Sequence, residues 1–231
     1  MQKSITFVVQ TGEHSKRDEL VKFLSDIAGV SDKITLEERD TNGVLRSATS
    51  FLLEADGEDT GIRFSGIPGG HEFNSLVLAL LHASGTELKI DDSLKGIVRG
   101  VKDELNFEVF ISLSCHNCPD VVQALNMMAV LNPNIRHTAI DGALFKEEME
   151  RLEVMAVPTV LLNGQPFASG RMDLPELLAK IDKDAGKRAA EQIGKKDSFD
   201  VLIVGGGPAG AASAIYAARK GIKTGIVAPQ P

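Results

Sequence analysis

The sequence predicts an α/β protein in which one pattern of strands and helices is used twice, followed by a shorter segment of another kind. Three observations lead there. The order strand, helix, strand, then strand, strand, helix is legible over residues 4–82 and again over 107–181. The second stretch holds the only two cysteines of the 231-residue chain, Cys115 and Cys118, between a strand and a helix. After a charged stretch, the last residues read as a strand, a glycine-rich turn, a helix and a strand.

Residues 4–10 (SITFVVQ) are rich in β-branched and aromatic side chains and form the first strand. Leu20, Val21, Phe23, Leu24 and Ile27 give an apolar face to a helix over 15–28, stopped by Gly29. Strands follow at 33–37, 49–53 and 61–65, and a buried helix at 70–82. In the second copy the strand is 107–113, the helix 118–131 and the next strand 135–140. A helix at 143–151 leads to strands 158–162 and 165–168 around Asn163-Gly164, a strong hairpin turn, and the helix 174–181 closes the copy. A shift of 102 residues places Asp18 on Asp120 and Leu20 on Val122, and brings Phe7 within two positions of Phe107. With one gap, residues 50–53 fall on 159–162, so the chain reads as an internal duplication. The first copy has Glu13-His14-Ser15-Lys16 where the second has the cysteines, and Thr49 where the second has Pro158.

The domain organisation follows. Residues 1–86 form a Cys-less unit, and 87–105 a connecting helix capped by Asp91-Asp92-Ser93. Residues 106–182 form the Cys-bearing unit, 183–198 a charged, Ala-rich linker, and 199–231 the start of a dinucleotide-binding domain.

Bulk properties exclude several classes. At 43% hydrophobic and 25% charged the chain buries a core. A net charge of -7 and a pI near 5.3 argue against nucleic acid or an anionic membrane as partner. The longest apolar run, residues 75–81, is too short to span a bilayer. Nothing resembles a signal peptide, so the expected location is the cytoplasm.

The pair Cys115-x-x-Cys118 admits three readings. A zinc site wants about four ligands, and the sequence offers only scattered histidines besides the cysteines. A structural disulfide wants an oxidising compartment. A redox dithiol wants a strand, a tight Cys pair and a helix in that order, the layout of thioredoxin/glutaredoxin-like units, and this is the favoured reading. The helix amides and dipole favour a thiolate at Cys115, the expected attacking sulfur, and Cys118 one turn on is the resolving thiol. His116, as a partial cation, would help ionise Cys115, or is an ordinary exposed loop residue. Val157-Pro158, if cis, would set a backbone edge opposite Cys115 to receive an extended peptide. Glu72 in Gly70-His71-Glu72-Phe73 is a candidate proton acceptor for Cys118, although a lone Glu is ordinarily a surface residue.

Gly205, Gly207 and Gly210 stand in a G-x-G-x-x-G between a strand and a helix, the context that makes this motif a dinucleotide fingerprint. The acid expected at the end of the following strand is missing, and a Rossmann-type start of roughly 33 residues cannot bury a doubly wound core.

The runs Ser114-Cys-His-Asn-Cys-Pro-Asp-Val-Val-Gln-Ala-Leu-Asn126 and Gly70-His-Glu-Phe73, with Val201-Leu-Ile-Val-Gly-Gly-Gly-Pro-Ala-Gly210, carry a resemblance. Over essentially its whole length the sequence resembles the N-terminal part of the flavoprotein components of bacterial alkyl hydroperoxide reductases. The resemblance implies electron flow from NADH to FAD, to a dithiol of the flavin domain, to Cys115 and Cys118. From there electrons reach the disulfide of a peroxiredoxin that destroys hydroperoxides, in a homodimeric full-length enzyme. Three departures bear on it. Against the resemblance, the sequence is expected to lack the family's leading helix, to stop inside the flavin domain before its redox cysteines and nicotinamide site, and to read Ala228-Pro-Gln-Pro231 where an acidic segment is expected. This chain alone is therefore expected neither to bind FAD well nor to oxidise NADH. Two rivals remain at this level: a stand-alone tandem-thioredoxin protein disulfide oxidoreductase, and a non-catalytic docking module that uses the Cys-less copy as its surface.

Overall fold

A computed structural model describes residues 1–181 and 199–227. The predicted linker 183–198 and the tail 228–231 lie outside the described residues. Two compact units result, Met1–Lys183 and Asp184–Pro231.

In the first unit the initial repeat comprises β1 (Ile5–Gln10), α1 (Arg17–Ala28), β2 (Ile34–Arg39), β3 (Ser50–Ala55), β4 (Glu58–Ser65) and α2 (Phe73–Ala83). Residues Gly70–Glu72, predicted as α-helix, form a 3-10 turn instead. Its start at Gly70 has φ 54°, a left-handed conformation that glycine adopts freely. The connecting helix α3 (Asp92–Gly100) carries the expected cap, the Asp91 carboxylate accepting from Ser93 N at 2.8 Å. It ends well before Leu105, where a strand already begins. The second repeat is β5 (Leu105–Ile111), α4 (Cys118–Leu131), β6 (Ile135–Asp141), α5 (Lys146–Arg151), β7 (Thr159–Leu162), β8 (Gln165–Ser169) and α6 (Leu174–Ile181).

All eight strands form one sheet in the order β2-β1-β3-β4-β6-β5-β7-β8. Each repeat contributes the same set of pairings, one parallel and two antiparallel. The registers locate the duplication to the residue. Phe7 lies between Leu36 and Leu53, and Phe107 between His137 and Leu162. The repeats meet where β4 pairs in parallel with β6, Ile62 opposite His137 and Phe64 opposite Ala139.

Alternation along the strands divides the apolar residues between two faces, as the twofold strand repeat requires. On one face Ile5, Phe7, Val9, Phe107, Val109 and Ile111 join the apolar sides of α1, α2, α3, α4 and α6 in one continuous core. On the other, Val8 packs with Leu45 and Leu52, and Phe110 with Ile140 and Leu161 beside Phe145 and Met149. Arg46 crosses between repeats on that side, pairing with Glu108 and with Glu148, the latter at 2.7 Å.

His137 takes the place of Leu36 and is fully buried, its Nδ1 2.8 Å from Asn126 Oδ1 on α4. Burial drives its imidazole down to about 3, so the ring is neutral in the fold.

The second unit is β9 (Val201–Val204), α7 (Pro208–Arg219) and β10 (Thr224–Val227), with β9 and β10 parallel.

Gly61 marks how tightly the seam is built. Its φ is 80°, and a Cβ there would fall 2.7 Å from Ile135 O and 3.4 Å from Ala129 Cβ. Gly61→Ala is therefore expected to destabilise the first unit by at least about 2 kcal/mol. Hydrogen exchange should show protection falling in both repeats together; a loss confined to β3 and β4 would mean the repeats open independently.

Candidate redox site

The strand β5 ends at Ile111, two residues short of the predicted limit, and residues 112–117 form the loop that carries the first cysteine. Cys115 N donates to Ser112 O at 2.9 Å and fixes the loop's turn. Cys118 opens α4, with Pro119 next, where a missing amide hydrogen costs little. Asn117 makes no side-chain cap, so the first-turn amides of α4 stay free of side-chain acceptors at the positive end of the helix. Cys115 and Cys118 are joined as a disulfide with Cα atoms 5.5 Å apart. Cys118 is wholly buried, whereas Cys115 is half-buried and faces the outside.

Opposite Cys115 lies the start of β7. The Val157–Pro158 bond is cis, Pro158 is buried, and Val157 O lies 3.9 Å from Cys115 Sγ. The loop before it presents Met155, 92% exposed.

The third side of the site comes from the other repeat. His71 N donates to Leu113 O at 3.1 Å, and a Cβ on Gly70 would sit 2.5 Å from that same oxygen. The 3-10 turn therefore rests on the chain just before the cysteines, and glycine is what lets it approach so closely. The rings of His71 and His116 lie 4.1 Å apart, and both residues are exposed. His116 sits at the rim of the disulfide rather than in the protein interior. Sequence reasoning does not single out His71 as a site residue, although the Gly70–Phe73 motif contains it.

Glu72, in the same turn, departs from the surface position usual for its residue type. It is fully buried, and neither carboxylate oxygen has a hydrogen-bond partner among the described residues. Burial raises it to about 7, and the nearby Ser75 hydroxyl acts in the opposite direction. The turn packs against α4, so this carboxyl and the Cys118 helix share one interface. A second buried acid, Asp141 at the end of β6, is also raised by burial, but its Oδ1 accepts from Ala143 N at 3.0 Å. No motif marks Asp141 in the sequence, and only its burial distinguishes it. Among the described residues no cluster suited to a metal ion is found.

Comparison with known proteins agrees with this geometry. Residues 105–183 match the model of a thioredoxin domain, and residues 200–231 that of an FAD dependent oxidoreductase. The F component of alkyl hydroperoxide reductase from Pseudomonas aeruginosa is 56% identical over 221 residues, which cover 96% of this chain and 42% of that protein. An NADH dehydrogenase of Bacillus subtilis is 51% identical over 228 residues, covering 99% of the chain and 43% of the relative. The N-terminal domain of alkyl hydroperoxide reductase AhpF from Enterococcus faecalis superposes with a TM-score of 0.73 at 32% identity, over 78% of this chain and 92% of that one. The chain belongs to the AhpF family of alkyl hydroperoxide reductases. It spans less than half the length of the curated relatives it matches.

The AhpF-family match extends into the second unit, where the glycine turn has the form a dinucleotide requires. Gly205 has φ 116°, a Cβ on Gly210 would collide with Gly205 O, and no described residue lies within 4 Å of a Cβ on Gly207. Gly210 thus permits close helix–strand packing, while Gly207 leaves open space at the amino end of α7 for a phosphate. These residues fit the pyrophosphate part of FAD.

Glu72 yields a stability prediction. Its folded value, about 7, lies above the 4.5 of a free glutamate, so its neutral form suits the fold and its contribution is complete at low pH. That contribution is lost as pH rises through about 7. Urea unfolding of the oxidised protein should therefore show Glu72→Gln gaining on the wild type by on the order of 3 kcal/mol between about pH 4.5 and 8. A difference independent of pH would mean that Glu72 titrates as a surface carboxylate.

Proposed function

We propose that this chain is the thiol–disulfide relay of an alkyl hydroperoxide reductase flavoprotein, delivering electrons to the disulfide of a peroxiredoxin in hydroperoxide detoxification. One observation carries the reading: the Cys115–Cys118 disulfide lies at the amino end of α4, with a half-exposed first sulfur and a buried, unpartnered carboxyl on the turn beside it.

The dithiol of the flavin domain donates two electrons by exchange, leaving Cys115 and Cys118 as thiols and itself as a disulfide. Cys115, ionised at the helix end, attacks one sulfur of the peroxiredoxin disulfide; the S–S bond breaks, and the second partner sulfur leaves as a thiolate that takes up a proton. Cys118 then loses its proton to the Glu72 carboxylate and attacks Cys115 Sγ. The mixed disulfide breaks, the other partner thiolate leaves, and the intramolecular disulfide returns. A carboxyl near 7 is divided between its two forms at neutral pH, which suits a group that accepts and returns a proton in each cycle. His116 lies at the rim to favour the Cys115 thiolate, and the Val157-Pro158 edge is placed to receive the partner's segment in extended form. Gly205, Gly207 and Gly210 would hold the pyrophosphate part of FAD, which would supply NADH-derived electrons. The full-length protein is read as a cytoplasmic homodimer; no helix among the described residues is long and apolar enough to cross a membrane. The glycine turn favours this reading over a stand-alone disulfide oxidoreductase, which has no use for a phosphate site.

The test is single-turnover reduction of an oxidised bacterial peroxiredoxin by the dithiothreitol-reduced chain. The reduced chain should reduce it, while NADH without a flavoprotein should do nothing. Cys115→Ser should abolish electron transfer entirely, whereas a docking module would keep its function. Glu72→Gln should slow the reaction roughly 100-fold between about pH 6 and 8. An unchanged rate would remove Glu72 from the mechanism.

A further inference from the structure

A buried carboxyl without partners is held in place by something other than its own hydrogen bonds. Ser75 lies one helical turn beyond Glu72 and is also fully buried. Its hydroxyl is held from the other repeat: Gln123 Nε2, on α4, donates to Ser75 Oγ at 3.2 Å. Gln123 stands five residues after Cys118 on the helix that Cys118 opens. A serine hydroxyl has two lone pairs and one hydrogen. With the Gln123 amide on one lone pair, the hydroxyl hydrogen remains to be directed at an acceptor. The polar group three residues back on the same turn is the orphaned Glu72 carboxyl.

We propose that Ser75 and Gln123 are positioning residues for the proton transfer at Glu72. Gln123 pins the Ser75 oxygen, and the pinned hydroxyl turns its hydrogen to the Glu72 carboxylate once that group has ionised. The proposal rests on the reading of Glu72 as proton acceptor and names what governs that residue. Ser75 is the one neighbour that favours the charged form of Glu72, while burial opposes it. Ionisable groups on the surrounding elements do not contribute to the shift. They are His71 on the same turn, His116 and Asp120 around the start of α4, Glu54 on β3 and Lys22 on α1. Asp120 is held by Arg171, Lys22 by Asp26 and Glu54 by Arg39. Because the anchor comes from α4, the acid of the Cys-less repeat is tied to the helix that carries the resolving cysteine. The sequence gives no hint of this link, since Ser75 and Gln123 are separated by 48 positions.

The experiment has two readouts on the whole chain. The first follows the Glu72 carboxyl by 13C NMR against pH in the oxidised protein. Ser75→Ala should move its midpoint upward by roughly half a unit or more, and Gln123→Leu should move it in the same direction by less. Ser75→Thr, which keeps the hydroxyl, should restore the wild-type midpoint. The second is the pH profile of peroxiredoxin reduction. It should shift with the same sign in Ser75→Ala, and Ser75→Ala should add nothing in a Glu72→Gln background. A midpoint that stays put in both Ser75→Ala and Gln123→Leu overturns the proposal. Should Ser75→Ala fail to fold, the half-exposed Gln123 site still decides it. If the midpoint moves but Glu72→Gln leaves the rate unchanged, the catalytic reading of Glu72 falls and with it the assignment of both residues to the reaction.

Discussion

The parallel pairing of β4 with β6 is the contact on which the rest of this molecule depends. It converts two four-stranded sheets into one and sets α4, a helix of the second repeat, over a strand of the first. The chain leaving β4 then has only a short path before it must turn into α2. That path brings Gly70–Glu72 against Leu113, two residues before the first cysteine. Close approach at the seam is sterically demanding, and glycines at 61 and 70 meet the demand where any side chain would strike a carbonyl of the other repeat. The shared core reinforces the pairing, because hydrophobic burial is continuous from Ile5 to Leu178 rather than divided between the repeats.

Burial of ionisable groups follows from the same geometry. Glu72, His137 and Asp141 are all removed from water, and each responds by disfavouring its charged form. Their surroundings differ. Asp141 has a backbone amide at its oxygen, and His137 has Asn126, so both are partly compensated. Glu72 has nothing in hydrogen-bonding geometry. An uncompensated carboxyl is destabilising whenever it is charged, and a fold retains such a group where its proton has work to do. Glu72 lies on the turn that packs against the helix of Cys118, which is the observation behind the proposed proton transfer.

The duplication has left the repeats unequal in a way that makes them complementary. Where the second repeat has the disulfide, the first has Glu13–Lys16, and where the second has Pro158, the first has a buried Thr49. The Cys-less copy nonetheless lends the site its acid, a histidine beside His116 and the floor under Leu113. One unit of this fold leaves the flank of its cysteine helix open to solvent. Here the turn of the Cys-less repeat packs against that helix, and its Glu72 is buried and raised to about 7.

Much of this was legible in the residues themselves. Period-two and helical alternation located the strands and helices of both repeats, because each element buries one face and the spacing of apolar side chains records which. The bounds of α4 and α6 agree with the sequence reading to the residue, since Cys118-Pro119 and Leu174-Pro175 begin them and apolar runs carry them through. The dithiol and the glycine turn were equally plain, as their chemistry lies in spacing along a single short segment. Less was legible where a structure is made by residues far apart in sequence. The 3-10 form of Gly70–Glu72 follows from its contact with Leu113, and helical propensity carries no record of that contact. The early end of α3 likewise reflects the demand of β5 to start at Leu105 opposite Ile135. What the sequence determined by itself is the chemistry of the two sulfurs and the identity of the folding unit, both set by local pattern. What only the tertiary structure decided is that Glu72 is dehydrated on a turn packed against the helix that Cys118 opens. Burial is a property of the joined sheet and of the helices packed across its seam, and no single segment contains it.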